Sequence, residues 1–190
     1  MARVSRVAYL EAALDVLADS GSDALTVAEL CTRLGVTKGS FYHHFSGTAE
    51  LVTALLAFWE EDRSQRLIAA SAAEPDPAAR VELLSRIAVG LPHAAEAALR
   101  AWGRSNAEVR DVVARVDSAR EDHLMDSMML AGSPPEQARL RAKTAIAVLV
   151  GTQQREDPVN LATLLAMLAG LQGDYQTQWA GEVPSTRTIP

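Results

Sequence analysis

The stretch Thr26-Val-Ala-Glu-Leu-Cys-Thr-Arg-Leu-Gly-Val-Thr-Lys-Gly-Ser-Phe-Tyr-His-His-Phe45 admits few folds, because it parses residue by residue as helix, tight turn, helix. Thr26 and Glu29 stand at the spacing of a capping box, with Leu25 and Leu30 at the flanking staple positions. Val27, Leu30, Cys31 and Leu34 recur at helical spacing, and Gly35 falls where the chain must leave the helix through a left-handed residue. Val36 fills the turn. Thr37 then caps a second helix whose Phe41 and Phe45 face inward, which predicts an outward face of Lys38, Ser40, Tyr42, His43 and His44.

Such a face is rich in donors and suits a DNA major groove, where amide, imidazole and ammonium groups meet base edges and phosphates. Gly39 lacks a side chain, so a phosphodiester backbone can come close. No acidic residue occurs from Leu30 to Ala49, which predicts that Arg33 and Lys38 are locally unopposed. Thr37 can contact phosphate while capping, and the outward angle of Tyr42 relative to Phe41 and Phe45 favours the same role.

The motifs Leu-Thr-Val-Ala-Glu-Leu, Leu-Gly-Val-Thr-Lys-Gly-Ser-Phe-Tyr-His-His-Phe and Glu50-Leu51 resemble the tetracycline-repressor (TetR) family of transcriptional regulators. The resemblance is motif-rich over roughly residues 5 to 60 and architectural beyond. It implies DNA contacts from Thr26, Thr37, Lys38, Gly39, Ser40, Tyr42, His43, His44 and Thr48. The family frequently has a phosphate-gripping lysine where this chain has Thr48, and Arg3 or Arg6 of the N-terminal arm are the residues placed to compensate. It further implies a homodimeric repressor that holds a palindromic operator until a small-molecule effector binds. An effector-independent or architectural DNA-binding protein is the alternative, and an enzyme using a C-terminal cavity a more distant one.

The net charge of −6 looks wrong for a nucleic-acid binder. Residues 1–50 bring no relief, since Arg3, Arg6, Arg33 and Lys38 face Glu11, Asp15, Asp19, Asp23, Glu29 and Glu50. Placement must do what net charge does not, and non-specific affinity should be modest and salt-sensitive. With 48% hydrophobic and 22% charged residues the chain reads as globular. Cys31 is the only cysteine and sits on an apolar stripe, so no disulfide framework is expected and a reducing cytoplasm is the simple location. Neither a signal-type N-terminus nor a membrane span is expected, the uncharged run from Pro158 to Gly173 being short and polar-interrupted.

The whole chain reads as all-α, with about nine helices. Val7, Leu10, Leu14 and Leu17 mark a first helix from Ser5 to Ser20, ended by Gly21, and a fourth helix runs from Gly47 toward Ala72. Further helical patterns cover about 78–90, 94–104, 107–131, 135–155 and 159–177, separated by prolines or Ser105-Asn106. The expected organisation is a DNA-binding domain over 1–50, an effector-binding and dimerisation domain over 51–178, and a flexible tail over 179–190.

Helices 135–155 and 159–177 are apolar over much of their circumference, which suits either a central core helix or a two-helix face meeting its copy in a dimer. In the helix at 107–131 the stripe of Val109, Val112, Val113 and Val116 continues at 100° per residue into Arg120, His123 and Ser127. Either protein acids answer these polar groups or a ligand does. Under the ligand reading Phe58, Trp59, Trp102 and Met128 are possible apolar lining. No catalytic motif, glycine-rich phosphate loop or metal-ligand spacing occurs, so no cofactor, no metal and no enzymatic activity are expected.

Overall fold

The computed structural model describes residues 4–155 and 161–170. Those residues form helices and turns without a strand. The head is built from α1 (Arg6–Ser20), a 3-10 turn at Ser22–Ala24, α2 (Val27–Leu34) and α3 (Lys38–His44). Each start is capped by a side chain: Ser5 Oγ accepts the Ala8 amide, Thr26 Oγ1 that of Glu29, and Thr37 Oγ1 that of Ser40. Gly35 closes α2 in the left-handed region, at φ 64° and ψ 36°, where a Cβ would be strained. The capping box is only half made. The Thr26 amide donates to Ala24 O, and Glu29 turns toward Arg33 instead of back to its cap.

The next helix, α4 (Thr48–Glu60), passes without a break through a π turn at Glu61–Gln65 into α5 (Arg66–Ala72). In the turn the Arg66 amide donates to Glu61 O, one residue farther back than in an α-helix. The expected single helix from Gly47 to Ala72 is therefore interrupted at its middle, which accounts for ten α-helices among the described residues against nine expected. Then follow α6 (Pro77–Val89), α7 (His93–Gly103), α8 (Ala107–Leu130), α9 (Pro135–Gln153) and α10 (Leu161–Gly170), close to the expected spans. Asp76 and Asn106 cap α6 and α8. At Gly103 a Cβ would lie 3.2 Å from Arg110 Cα, so glycine lets the end of α7 meet the start of α8.

The main core does not stop at the head. Tyr9, Leu14, Leu17, Leu30, Phe41, Phe45, Leu51, Leu55 and Trp59 join Leu99, Val109, Val112 and Val116 in one apolar cluster. The expected boundary at residue 50 lies in the first turn of α4, and packing runs across it. Tyr9 is fully buried and meets Phe41 and Phe45 edge-on at 5.8 and 5.9 Å, contacts worth about 1 kcal/mol each beyond area burial. Val7, expected on the inner face of α1, is exposed, and Tyr9 and Val16, on the opposite side of the helix, are fully buried. Cys31 is a free, buried core residue, as its stripe suggested.

A second, smaller cluster gathers Leu91, Leu149 and Leu161, with Leu67, Val148 and Leu165 against it. On α9 the buried stripe is Ala138, Ala142, Leu149 and Gln153, while Leu140, Ala147 and Gly151 lie on the exposed side. The tail at 179–190 and the part of the last helix beyond residue 170 lie outside the described residues.

Candidate DNA interface and effector cavity

The short α3 is held from below by Phe41 and Phe45, so its remaining residues divide by angle. Thr37, Lys38, Gly39, Tyr42 and His43 are exposed, Tyr42 to 58% despite its size. A methyl group at Gly39 would meet only Thr37 Oγ1 at 3.6 Å, so what glycine keeps open is room on the solvent side. Thr26 and Thr48 are also exposed, at the starts of α2 and α4.

Two expected members turn the other way. His44 is half-buried, with Nε2 2.9 Å from Val4 O and its ring 5.5 Å from that of Tyr9. Ser40 accepts a 3.0 Å hydrogen bond from the Tyr9 hydroxyl. Both therefore fix α3 to α1, because at 100° per residue positions 40 and 44 share a side that the outward reading assigned to solvent. Arg33 is not unopposed either: it donates to Asp19 at 2.8 Å and lies 3.7 Å from Glu29. The sequence window without acids was correct, but folding brings Asp19 of α1 beside it.

Arg6 also has a fixed place. It donates to His44 O at 2.9 Å and to Glu50 at 3.2 Å, with its guanidinium 4.6 Å above the Phe45 ring. It is a brace across the end of α3, not an extended arm, and Arg3 lies outside the described residues. Glu50 accepts from the amide and hydroxyl of Ser46, both at 2.8 Å. Those bonds, with Arg6 behind them, hold its carboxyl below the usual carboxylate range. Beside Thr48, then, the start of α4 already holds an anion of its own.

The second site is a cavity with about 640 Å³ of atom-free space, partly open to solvent, among α5, α6, α8, α9 and α10. Its walls are aliphatic, chiefly Leu67, Ile68, Leu84, Ile87, Leu91 and Leu149. Polar groups enter from Ser64 in the π turn, Ser85, Arg120 and His123. Of the expected lining, Arg120 and His123 are present. Phe58, Trp59 and Trp102 instead belong to the main core, Ser127 is buried with its hydroxyl donating to His123 O, and Met128 is not in the wall. Phe58 and Trp59 precede the π turn and pack with the core side of α4, while the residues of this stretch that reach the cavity lie in it or follow it. Ser64, Leu67 and Ile68 had no signal in sequence beyond being small or apolar beyond the middle of a helix.

Arg120 is answered by protein. It donates to both oxygens of Glu96 at 2.9 and 2.7 Å, and Gln153 donates to the same carboxylate at 2.8 Å. Arg100 lies 3.9 Å from Glu96 and is paired with Asp117 by two hydrogen bonds. Burial alone would raise the Glu96 carboxyl; the Arg120 bonds and charge, Gln153 and Arg100 outweigh it and hold the group below its ordinary range. His123 Nε2 is 2.7 Å from Ser71 Oγ, and the Ser71 hydroxyl donates to Ile68 O, so His123 is the donor of its pair. Burial, then the Arg80 charge, pushes His123 below the ordinary histidine value, against a smaller opposing pull from Asp126.

Two buried polar atoms find no partner among the described residues, Trp59 Nε1 and Ser64 Oγ. The Arg120 guanidinium sits 5.9 Å from the Trp59 ring. Arg120 therefore joins the cavity wall to α4, the helix that starts beside α3. No group of His, Cys, Asp and Glu suited to a metal ion occurs among the described residues, and none of their helices is long and apolar enough to cross a membrane.

Residues 10–55 match the model of the family described as bacterial regulatory proteins, tetR family. Over 98% of its length the chain is 25% identical to the HTH-type transcriptional regulator BetI of Rhizobium meliloti (strain 1021), covering 97% of that protein. A solved transcriptional regulator from Rhodococcus sp. Rha1 superposes with a TM-score of 0.71 at 21% identity, over 90% of this chain and 97% of its own. A regulator from Saccharomonospora viridis, solved in complex with choline, gives 0.69 at 14% identity over 89% and 96%. FadR of Bacillus subtilis, solved with stearoyl-CoA, gives 0.63 at 16% identity over 88% and 97%. With its capped helix-turn-helix and exposed α3 face, the segment 10–55 carries the region described for bacterial regulatory proteins of the tetR family, on an all-helical fold shared with solved transcriptional regulators.

Proposed function

We propose that the protein is a homodimeric repressor that occupies a palindromic operator and leaves it when a small molecule enters the cavity behind α5. The observation that carries this reading is the double position of Arg120, at once part of the cavity wall and stacked over Trp59 of α4. A ligand that prefers a changed Arg120 position biases α4, and through it the placement of α3. The operator affinity falls by the differential affinity of the ligand for the two states.

In this reading residues 1–50 form the DNA-binding unit and 51–178 the sensing and dimerising unit. Lys38, Tyr42, His43 and Thr37 meet DNA, with Thr26, Gly39 and Thr48 at the edges. Ser40 and His44 orient the helix from its inner side. Support for a dimer comes from α9 and α10, which leave Leu140 and Met167 exposed to 66% and 60% beside Ala147, Gly151, Ala162 and Ala166. A two-fold axis there would set two copies of α3 about one DNA turn, ~34 Å, apart. The solved neighbours that hold choline and stearoyl-CoA favour a ligand-responsive protein of this fold.

A second reading, a regulator without an effector, draws on the Arg120–Glu96 pair and the His123–Ser71 bond, which already satisfy both groups. Selection of bound sequences from random duplex DNA, followed by titration of the winner with and without ligands, separates the two. A palindrome bound by two chains and released by a compound is the expected result. No enrichment at low salt overturns the repressor reading, and a palindrome insensitive to every compound that binds the protein leaves the second.

A further inference from the structure

The wall of the cavity is informative about charge. Its described lining holds no Phe, Tyr or Trp and no carboxylate, so it has neither the aromatic cage nor the counter-ion that a quaternary ammonium head requires. Nor does it hold an uncompensated cation. Arg120 is matched by Glu96 and Arg100 by Asp117, a set with no net charge. Arg80 is outside the lining and is bound to Glu74 O by its Nε and a terminal nitrogen, at 3.2 and 2.7 Å. A carboxylate head would give up its water without gaining a free partner of opposite charge. Against this stands one unmet need, the buried hydroxyl of Ser64, which lines the cavity and has no partner among the described residues. Ser64 sits in the π turn, where the helix departs from α geometry, a departure frequently found at functional sites.

We infer that the cavity takes an uncharged, mainly aliphatic molecule bearing one hydrogen-bond-accepting oxygen, which receives the Ser64 hydroxyl, and that it rejects cationic and anionic heads on the same chain. This deepens the effector reading above and rests on it for the site. Ser85 donates to Val81 O at 3.2 Å, so its hydrogen is engaged and Ser64 is the hydroxyl left to recognise the acceptor.

The test uses the full chain without DNA and three probes of equal chain length: methyl octanoate, octanoate and octyltrimethylammonium, each titrated calorimetrically below any micelle threshold. The ester is expected to bind at least about tenfold more tightly than either charged probe. Ser64→Ala should weaken the ester about three- to tenfold and narrow the ester-to-octanoate ratio, which a purely structural role for Ser64 would not change. Ile68→Trp, which fills the aliphatic wall, should remove ester binding. Equal or tighter binding of octanoate or the ammonium, no binding by any probe, or an unchanged ratio in Ser64→Ala overturns the inference. Ester binding that does not release the operator would instead sink the repressor mechanism and leave the ligand class standing.

Discussion

Arg120 lies with its guanidinium 5.9 Å from the centre of the Trp59 ring while both oxygens of Glu96 accept its hydrogen bonds. Because Glu96 is fully buried, Arg120→Met should destabilise the fold on the order of 3 kcal/mol, by leaving a carboxylate without its main partner. Adding Glu96→Leu to that variant should recover most of the loss. Urea unfolding of the two variants decides it, and a double variant no more stable than the single one would deny that the stranded charge is the cause.

Acid should weaken the protein in two stages. Both Glu96 and His123 are held below their ordinary values in the folded chain. For a group so shifted, the unfolded chain binds the proton first, so the stability it lends is present above its unfolded pKa and is lost as pH falls through the folded one. His123 acts from about 6.5 downward and Glu96 from about 4.5 downward. His123→Gln should flatten the upper stage of a Tm-against-pH profile, and Glu96→Gln the lower.

Ser64→Ala removes a buried hydroxyl with no partner among the described residues. In the absence of ligand it should raise stability by about 1 kcal/mol, the cost of leaving such a group unmet. A lower Tm for the variant would show that the hydroxyl is satisfied in solution.

On the DNA side, Tyr42→Phe should weaken all sequences alike, whereas His43→Ala should change base preference. Lys38→Ala should lower the salt slope of operator affinity by about 1 per subunit. Equal losses on specific and random DNA for His43→Ala would assign that residue to phosphate. His44→Ala should act differently, lowering Tm through the lost Val4 contact at 2.9 Å.

Gly151 offers a direct probe of the proposed dimer. A Cβ there meets nothing within 4 Å in the single chain, so Gly151→Leu should keep its helix content. If α9 faces its copy, sedimentation should shift from dimer to monomer, as it should for Leu140→Glu.

Elements governed by local rules were legible in advance. Thr26 and Thr37 cap their helices, and Gly35 makes the left-handed exit, because each needs only its near neighbours. The valine stripe of α8 is buried as its spacing required. What failed depended on partners distant in sequence. The Asp19–Arg33 pair and the Tyr9–Ser40 bond join residues on different helices, while the Glu96–Arg120 pair takes the protein-acid side of the choice that spacing left open. The cavity was half visible: Arg120 and His123 followed from the periodicity of α8, whereas Ser64, Leu67 and Ile68 lie in or beyond the π turn and had no pattern to mark them.

That turn makes chain length itself a constraint. Deleting one residue between Glu61 and Gln65 would take out the extra residue and allow an unbroken α-helix, locally the more favourable backbone, with everything downstream close to its present bearing relative to Trp59. Inserting a further residue would instead rotate the downstream chain by about 100°, and Leu67 and Ile68 would swing out of the wall while Leu51, Leu55 and Trp59 stayed in place. An insertion–deletion scan should thus find a single deletion here better absorbed than a single insertion, in a solvent-bordering stretch where composition alone would suggest no difference between the two.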